Sequence, residues 1–391
     1  MKTLFCVFGT RPEAIKMAPV VLALRQRPKE FRCRVVVTAQ HRHMLDQVLS
    51  LFDITPDHDL DVMTKGQSLT GVTVKVLERL DPLIQAERPA MVLVHGDTTT
   101  TMAASLAAFH HRVPVGHVEA GLRSYDRDNP FPEELNRVVA DCASTLHFAP
   151  TARARQALLR EGLAPDGIIV TGNTGIDALQ IVTRRLRRKE VPLPRPEWRR
   201  LAEKPFVLIT AHRRESFGEP LAAICSALAD VADRRPNLNL IYPVHPNPNV
   251  QGPVHERLGG RANVHLLPPL EYSDFLYFMA RSRFIVTDSG GLQEEGPSLG
   301  KPVLVLREVT ERPEAVRAGA ARIVGTDRDT IRRWMLKLLD DREAFRRMAT
   351  AVNPYGDGRG AVRTVEAMRH FFGLRRQRVP EFLGEVRRGR A

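Results

Sequence analysis

Several features that define other protein classes are scarce in this 391-residue sequence. Its four cysteines form no CxxC pair, which argues against a disulfide framework or a zinc ribbon and predicts buried free thiols. The histidine pairs at 41/43 and 110/111 lack metal-ligand spacing, so no metal is expected. No apolar run approaches the roughly 20 residues of a transmembrane helix, which predicts a protein outside the membrane.

Acidic residues are also in short supply, since 45 Asp and Glu face 58 Lys and Arg and leave a net charge of +13. Arginine accounts for 49 of the basic residues, which are densest at 184–188, 195–200 and 387–390. These runs are not interleaved with aromatic residues, so a solvated basic surface is favoured over a nucleic-acid partner. A positive protein would still attract an anionic substrate.

The first nine residues resemble a short signal peptide in their apolar character. No small-residue cleavage site follows them, and the charged residues Arg11 and Glu13 come at once. We therefore predict a first β-strand here and a cytoplasmic protein.

Short runs rich in Val, Ile and Leu alternate with amphipathic helical patterns along the whole chain. This alternation is typical of parallel sheets covered by helices on both faces. The strands are predicted at 3–8, 33–38, 91–94, 113–118, 145–148 and 168–171 in the first half, and at 206–210, 239–244, 264–266, 284–287, 303–306 and 322–324 in the second.

The length of the chain suggests two domains. The apolar rhythm stops at 184–204, a stretch rich in Pro and Arg, which indicates a linker. We expect Rossmann-like, doubly wound domains at 1–183 and 205–360 that face each other across a cleft. The C-terminal segment, about 361–391, begins with a helical pattern that is a candidate for packing back onto the first domain.

The turn at 8–13 is a first candidate site, because ligands of open parallel sheets bind at the carboxyl ends of strands. Gly9 allows a close approach of the backbone, and Arg11 lies beside a helix N-terminus that suits a phosphate. A plain glycine-containing turn explains this segment equally well.

The turn at 287–295 is more specific. Ser289, Gly290 and Gly291 open a helix directly after a strand, and Glu295 follows about one turn later. Free backbone N–H groups there suit a pyrophosphate, and a carboxylate suits two ribose hydroxyls. The alternative is an ordinary helix cap with solvent-facing acids.

Two other glycine-containing segments do not qualify as nucleotide-binding motifs. The segment at 296–302 has proline where a P-loop requires Ser or Thr, and the segment at 356–360 follows a Pro-Tyr turn instead of a strand. No GxGxxG pattern follows any predicted strand, so chemistry that depends on an NAD cofactor is not expected.

Three acidic residues lie at or near the ends of strands in the first half, namely Asp97, Glu119 and Glu133. In a parallel sheet they would face one cleft, where crowded carboxylates acquire different pKa values and act as base and acid. For Asp97 the alternative is a capping role for the helix that begins at Thr98. A charge directly after a buried strand, as at Glu119, needs some partner.

Two histidines follow strands in the second half. A lone histidine at a strand end, such as His245, is more often a local hydrogen-bonding group than a catalyst. His212 adjoins three further charged groups, Arg213, Arg214 and Glu215, at the predicted cleft, where it could donate to a phosphate.

Together these motifs closely resemble the bacterial non-hydrolysing UDP-N-acetylglucosamine 2-epimerases. The resemblance runs in order from residue 3 to about residue 370. It rests on FGTRPEAIK at 8–16, HGDTT at 95–99, GHVEAGLR at 116–123, PEELNR at 132–137, TGNT at 171–174, AHRRES at 211–216, YPVH at 242–245, DSGGLQEE at 288–295 and ERPE at 311–314.

The resemblance implies a glycosyltransferase-B-like fold and conversion of UDP-N-acetylglucosamine (UDP-GlcNAc) to UDP-N-acetylmannosamine (UDP-ManNAc) for surface polysaccharides. It implies a catalytic set and a substrate-binding set, a second UDP-GlcNAc that activates the enzyme, and a homodimer. The implied catalytic residues are Asp97, Glu119, Glu133 and His212; the substrate-binding residues are Arg11, Lys16, Arg137, Ser289, Gly290, Gly291, Glu295 and Arg312; and the activator-binding residues are Gln40, Gln47, Gln67 and His245.

The reaction accounts for these residue types. The C2 hydrogen has no adjacent carbonyl group to acidify it, so its removal is expected to be coupled to departure of UDP from C1, giving a glycal-like intermediate. UDP then returns while a proton reaches the opposite face of C2. This demands two proton-transfer groups and strong anchoring of the diphosphate.

Other functions are alternatives. A glycosyltransferase of the same architecture needs one base and an acceptor surface instead of three acids. A hydrolysing epimerase would release free N-acetylmannosamine and UDP. A sensor that only binds UDP-sugar would keep the turn at 287–295 but could dispense with Asp97 and Glu119.

Overall fold

The computed structural model describes residues 1–38, 42–64, 66–310 and 312–384. The chain divides into two compact units. The first contains residues 1–181 and 355–384, and the second contains residues 182–354. The second unit is therefore inserted into the sequence of the first.

The first unit is a seven-stranded parallel sheet with helices between its strands. Its strands are β1 (Lys2–Phe8), β2 (Phe31–Val37), β3 (His58–Asp59), β4 (Met91–His95), β5 (Val115–Val118), β6 (Leu146–Ala149) and β7 (Ile168–Val170), and its helices are α1 (Arg11–Arg25), α2 (Arg42–Leu51), α3 (Leu69–Glu87), α4 (Thr99–His110), α5 (Glu133–Ala143), α6 (Ala152–Arg160) and α7 (Thr174–Arg188).

The second unit is a six-stranded parallel sheet of the same type. Its strands are β8 (Phe206–Thr210), β9 (Asn239–Pro243), β10 (Val264–Leu267), β11 (Ile285–Thr287), β12 (Val303–Val305) and β13 (Ala321–Ile323), and its helices are α8 (Pro196–Leu201), α9 (Glu219–Arg234), α10 (Pro248–Leu258), α11 (Tyr272–Arg281), α12 (Gly290–Ser298), α13 (Pro313–Arg317), α14 (Arg328–Asp340) and α15 (Arg342–Ala349). The last helix among the described residues, α16 (Gly360–Phe371), packs on α1 in the first unit.

Both sheets have a reversal in strand order at equivalent places. The orders are β3-β2-β1-β4-β5-β6-β7 and β10-β9-β8-β11-β12-β13, so the reversal lies between β1 and β4 in one sheet and between β8 and β11 in the other. Ligands of doubly wound folds bind outside the carboxyl ends of the strands at such reversals. The prediction of two Rossmann-like sheets is confirmed. Their reversals point to the four turns that follow β1, β4, β8 and β11.

Side chains that alternate along the strands form the cores. In the first unit Phe5 and Val7 of β1 join Val92 and Val94 of β4 in one buried cluster with side chains of α3 and α4. In a strand every second residue points to the same face, so these pairs meet the covering helices together. The strands therefore place their last residues at fixed positions along each carboxyl edge.

The structure departs from the sequence-based expectations in several details. The segment 184–204, predicted as a linker, is partly helical, because α7 continues to Arg188 and α8 lies within it. Strand β3 has only two residues and was not predicted. Cys6 and Cys225 are buried as expected, but that expectation is wrong for Cys142, which is exposed on α5. Within the described ranges no helix is long and apolar enough to cross a membrane.

Candidate functional site

The turn after β1 is tied to the turn after β4 by a buried carboxylate. Glu13 accepts hydrogen bonds from the backbone N–H groups of Gly9 (3.1 Å) and Thr10 (2.7 Å) at the start of α1. Its other oxygen accepts from the hydroxyls of Thr98 (2.7 Å) and Thr101 (3.2 Å) in the turn after β4. Burial raises the pKa of Glu13, and these hydrogen bonds oppose that shift. The carboxylate therefore fixes the two sides of the strand reversal.

Glycine is required at position 9, directly after β1. A Cβ atom at Gly9 would lie 1.9 Å from the Thr38 hydroxyl oxygen, which itself bonds to the Thr100 hydroxyl at 2.9 Å. The backbone of the turn therefore sits close against Thr38 and Thr100, and the approach of Gly9 to a ligand stays a prediction.

Glu119 follows β5 and is held from several sides. Its φ of 66° lies in the left-handed region, which is uncommon for a residue with a side chain. Oε1 accepts from Lys16 Nζ on α1 and from Asn173 Nδ2 at 3.0 Å, and Oε2 lies 3.4 Å from His95 Nε2. The predicted residues Lys16 and Glu119 therefore meet as an ion pair in a nearly buried position.

Asp97 follows β4 and does not cap the next helix. Thr98 takes that role, since its hydroxyl accepts from the Thr101 N–H at 3.1 Å. The side chain of Asp97 instead accepts from Arg137, and its carbonyl oxygen accepts from Asn136 Nδ2 at 3.0 Å. The capping alternative for Asp97 is wrong: Arg137 of α5 holds its carboxylate, and Asn136 of α5 holds its main chain.

The neighbouring acids Glu133 and Glu134 have different surroundings at the start of α5. Glu134 is buried and accepts from the backbone N–H groups of Ser124 (3.0 Å) and Tyr125 (2.9 Å). Glu133 is half-buried, and no hydrogen bond or ion pair holds its carboxylate within the described part of the chain. Glu134 is therefore a structural acid, whereas Glu133 is available for chemistry.

A buried charge network joins the turns that carry the two paired acids. His117 Nδ1 lies 2.6 Å from Asp141 Oδ1, and His117 Nε2 lies 2.7 Å from the carbonyl oxygen of Gly96. A carbonyl and a carboxylate only accept hydrogen bonds, so both ring nitrogens must donate and the ring is an imidazolium. The other Asp141 oxygen accepts from Arg123 (2.7 Å) and from the Gly121 N–H (3.2 Å). Burial would raise the pKa of Asp141, but the His117 and Arg123 cations outweigh it and hold that pKa below its usual range.

In the second unit a buried aspartate organises the turn after β8. Asp288 directly follows β11, and its Oδ2 accepts from the backbone N–H groups of His212 (2.6 Å) and Arg213 (2.7 Å). The His212 ring, 41% exposed, stacks on His245 with 5.4 Å between ring centroids and 10° between planes. Burial and the neighbouring His212 lower the pKa of His245. Asp288 thus fixes the main chain beneath a solvent-accessible pair of imidazoles.

The predicted diphosphate turn forms the N-terminus of α12. Ser289 is the N-cap residue in extended conformation, its side chain makes no capping hydrogen bond, and Gly290 and Gly291 begin the helix. The N–H groups of a first helical turn have no partner within the helix. Farther along α12, the Tyr272 hydroxyl lies 3.5 Å from Glu295 Oε1, and Arg312 pairs with Glu294. The turn can therefore offer main-chain donors to an anion.

The remaining predicted residues have different surroundings. Arg11 begins α1 and has no ion-pair partner among the described residues. Gln67 is occupied locally, because its Oε1 accepts from the backbone N–H of Thr64 at 3.0 Å. Gln47 lies on α2, and Gln40 lies outside the described residues. No cluster of three His, Cys, Asp or Glu side chains suited to a metal ion occurs in the described segments.

Several residues of these sites were not among the predicted site residues. Glu13 has a visible signal, since Thr10 and Glu13 form the Thr-x-x-Glu pattern of a capping box. Asp288 has one too, as the first residue after a strand and before Ser-Gly-Gly. Asp141 and Asn136 have none, because these partners lie 18 to 39 positions away in sequence.

Comparisons with known proteins are consistent with this geometry. Residues 22–369 match the family profile described as UDP-N-acetylglucosamine 2-epimerase. The chain is 52% identical to the UDP-N-acetylglucosamine 2-epimerase of Escherichia coli K12 over 369 residues, covering 93% of this chain and 97% of that protein. Among solved structures, it is similar to UDP-GlcNAc 2-epimerase from Neisseria meningitidis bound to UDP-GlcNAc (45% identity, TM-score 0.84, 94% of this chain and 99% of that one). It is also similar to the MnaA–UDP co-structure from S. aureus (47% identity, TM-score 0.86, 98% and 100%).

Proposed function

The chain belongs to the UDP-N-acetylglucosamine 2-epimerase family, and on that premise we propose that it inverts C2 of UDP-GlcNAc by eliminating UDP and adding it back. Departure of the diphosphate from C1 is coupled to removal of the C2 proton, which leaves a glycal-like intermediate. Re-addition with delivery of a proton to the other face gives UDP-ManNAc. The observation that carries the proposal is the carboxylate of Glu119, fixed by Lys16 and Asn173 at the carboxyl end of β5.

The acid–base work is assigned to Asp97, Glu119 and Glu133. Arg137 holds Asp97 and Lys16 holds Glu119, whereas no cation holds Glu133 within the described residues. Carboxyl groups in different electrostatic surroundings can divide the roles of acid and base between them. Inversion at C2 requires two such groups, one for each face of the sugar.

The diphosphate is assigned to His212, Arg11 and the start of α12. Backbone N–H groups at a helix N-terminus carry a partial positive charge and suit phosphate oxygens. Asp288 supports this assignment by fixing the backbone of His212. Glu295 is assigned to the ribose, since a carboxylate accepts from two hydroxyls, and Arg312 is assigned to a supporting cationic role.

A second UDP-GlcNAc is proposed as an activator that contacts His245, Gln47, Gln67 and Gln40. The stacking of His245 on His212 supports this idea, because a ligand against one ring bears on the other. The dependence of initial rate on UDP-GlcNAc concentration tests it: a sigmoidal curve that becomes hyperbolic in His245→Ala is expected, and identical hyperbolic curves would contradict it.

A homodimer is proposed as the working form. Helices α3, α4 and α5 are neighbours and carry exposed apolar side chains, an arrangement that favours a protein contact. These side chains are Leu69, Val74, Phe109, Leu135 and Val138. Light scattering during size-exclusion chromatography tests the proposal, and a monomer mass at micromolar concentration would contradict it.

Proton NMR of UDP-GlcNAc incubated with the protein in deuterated water tests the proposed reaction. We expect signals of UDP-ManNAc and loss of the C2 proton from both epimers. An unchanged substrate would indicate a transferase or a sensor, and free N-acetylmannosamine with UDP would indicate a hydrolysing enzyme.

Isotope transfer tests the elimination step separately. With ¹⁸O in the bond between C1 and the β-phosphate, transient release of UDP lets the label move to a non-bridging position. Epimerisation without any such movement would contradict the glycal-like intermediate while leaving the epimerase activity intact.

A further inference from the structure

His95, the last residue of β4, is a buried polar side chain outside the predicted set. It is 3% exposed, and neither ring nitrogen has a hydrogen-bond partner within the described residues. A buried polar group left in this state is costly, so its presence calls for an explanation, and a catalytic role is one that folded proteins use.

The ring of His95 faces the carboxylate of Glu119. Its Nε2 lies 3.4 Å from Glu119 Oε2, slightly too far for a good hydrogen bond, while Lys16 and Asn173 donate to the other oxygen, Oε1. A small movement of either side chain would bring His95 Nε2 within hydrogen-bonding distance of Oε2. The carboxylate would then be fixed in rotation about its last bond.

The charge on His95 follows from its surroundings. Burial lowers its pKa to about 3, the carboxylate of Glu119 opposes that shift, and the cations Lys16 and His117 add to it. The ring is therefore neutral at physiological pH, with one donor and one acceptor nitrogen. If Nε2 were the acceptor nitrogen, its lone pair would face and repel a lone pair of Glu119 Oε2. We therefore place the proton on Nε2.

We propose that His95 is a positioning residue for the epimerase reaction, which as the neutral Nε2–H tautomer donates to Oε2 of Glu119 and fixes the direction of that carboxylate. This inference rests on the acid–base role proposed for Glu119. His95 keeps its proton throughout, and the proton from C2 passes between the sugar and a carboxyl group. A neutral donor serves here because it orients the carboxylate without adding a second full charge beside Lys16.

Paired substitutions of His95 test the proposal. The amide nitrogen of Gln can reach the place of Nε2, that of Asn reaches only the place of Nδ1, and Leu has no donor. We expect His95→Gln to keep kcat within about threefold, and His95→Asn and His95→Leu to lose about 10- to 100-fold, the usual effect of a hydrogen bond to a charged group. The KM for UDP-GlcNAc and the Kd for UDP should change less than about twofold, because a positioning residue acts on the transition state.

The pH profile separates positioning from a packing role. Loss of a donor to an ionised base disfavours its charged form, so the acid limb of log kcat should move to higher pH in His95→Leu and stay in place in His95→Gln. Equal activity in all three variants, equal loss in all three, or retention in His95→Asn alone would overturn the proposal. Inactive wild-type protein would instead contradict the proposed function.

A measurement on the wild-type protein covers the case in which the variants do not fold. The ¹⁵N chemical shifts of the His95 ring report its tautomer directly. A neutral Nε2–H ring between pH 6 and 8 is expected, and an Nδ1–H or cationic ring would overturn the assignment.

Discussion

The carboxyl edges of the two sheets are built in different ways. In the first unit the candidate side chains are already paired with one another, Lys16 with Glu119 and Arg137 with Asp97. In the second unit the buried carboxylate of Asp288 holds main chain, and the candidate groups are the partly exposed His212 ring and the first backbone N–H groups of α12. Proton transfer requires groups with fixed directions, whereas an anion can be bound by backbone donors that a strand and a helix present together.

The largest effect should come from the acids of the first edge. Glu119→Gln and Asp97→Asn are each expected to lower kcat by about 10²- to 10⁴-fold, the usual contribution of a general acid or base. The Kd for UDP, measured by calorimetry, should change little, because neither acid is among the groups assigned to UDP. The control is Glu343→Gln, at an exposed acid that pairs with Arg347. Wild-type rates in both variants would remove the contrast between the edges.

A buried acid with no cationic partner among the described residues sharpens the comparison. Asp177 of α7 accepts from the backbone N–H groups of Gly360 (3.1 Å) and Ala361 (2.9 Å) at the start of α16. Burial raises its pKa to about 6, and those hydrogen bonds oppose the shift. The pKa of an Asp side chain in the unfolded protein is about 4. Because the pKa of Asp177 in the folded protein is higher, its contribution to stability is fully present below about pH 4 and is lost as pH rises through about 6.

Urea unfolding of the wild type and Asp177→Asn from pH 4 to pH 7 measures this term. The difference between their free energies of unfolding should change by about 3 kcal/mol over that range, in the direction that weakens the wild type at higher pH. The effect on kcat at 25 °C should be small in comparison. A pH-independent difference would mean that Asp177 is ionised in the folded protein throughout.

A smaller effect is expected from Asp288→Asn in the second unit. An amide oxygen in the place of Oδ2 can still accept both backbone hydrogen bonds, but the charge that strengthens them is lost, so the Kd for UDP should rise about tenfold. The kcat at saturating UDP-GlcNAc should fall much less than in Glu119→Gln. Loss of kcat with unchanged UDP affinity would show that the second edge shares the acid–base work.

The smallest effect should come from a surface ion pair of the second unit. Arg235 donates twice to Asp340 at 2.8 and 2.9 Å, but both side chains are about half exposed. Arg235→Ala is expected to cost less than about 1 kcal/mol of unfolding free energy and to leave the Kd for UDP unchanged. A tenfold weaker UDP affinity would show that charge far from the carboxyl edge contributes to binding.

The sequence predicts the repeated features of this molecule better than its individual contacts. All twelve predicted strands are present, because apolar runs bounded by turn residues are local signals. The short strand β3 carries no such run. The roles of Glu133 and Glu134 could not be separated from sequence, since only the packing of α5 decides which side chain is buried. Capping by Thr98 instead of Asp97 likewise depends on where the first turn of α4 begins.

The position of α16 in the chain has a consequence for biosynthesis. The helix belongs to the first unit, yet its residues leave the ribosome after the whole of the second. The nascent N-terminal sheet therefore lacks this helix while the entire second unit is made and can fold. Until α16 arrives, the surface of α1 is uncovered and Asp177 lacks its backbone partners in that helix. During that interval we expect a chaperone to bind at the uncovered face of α1.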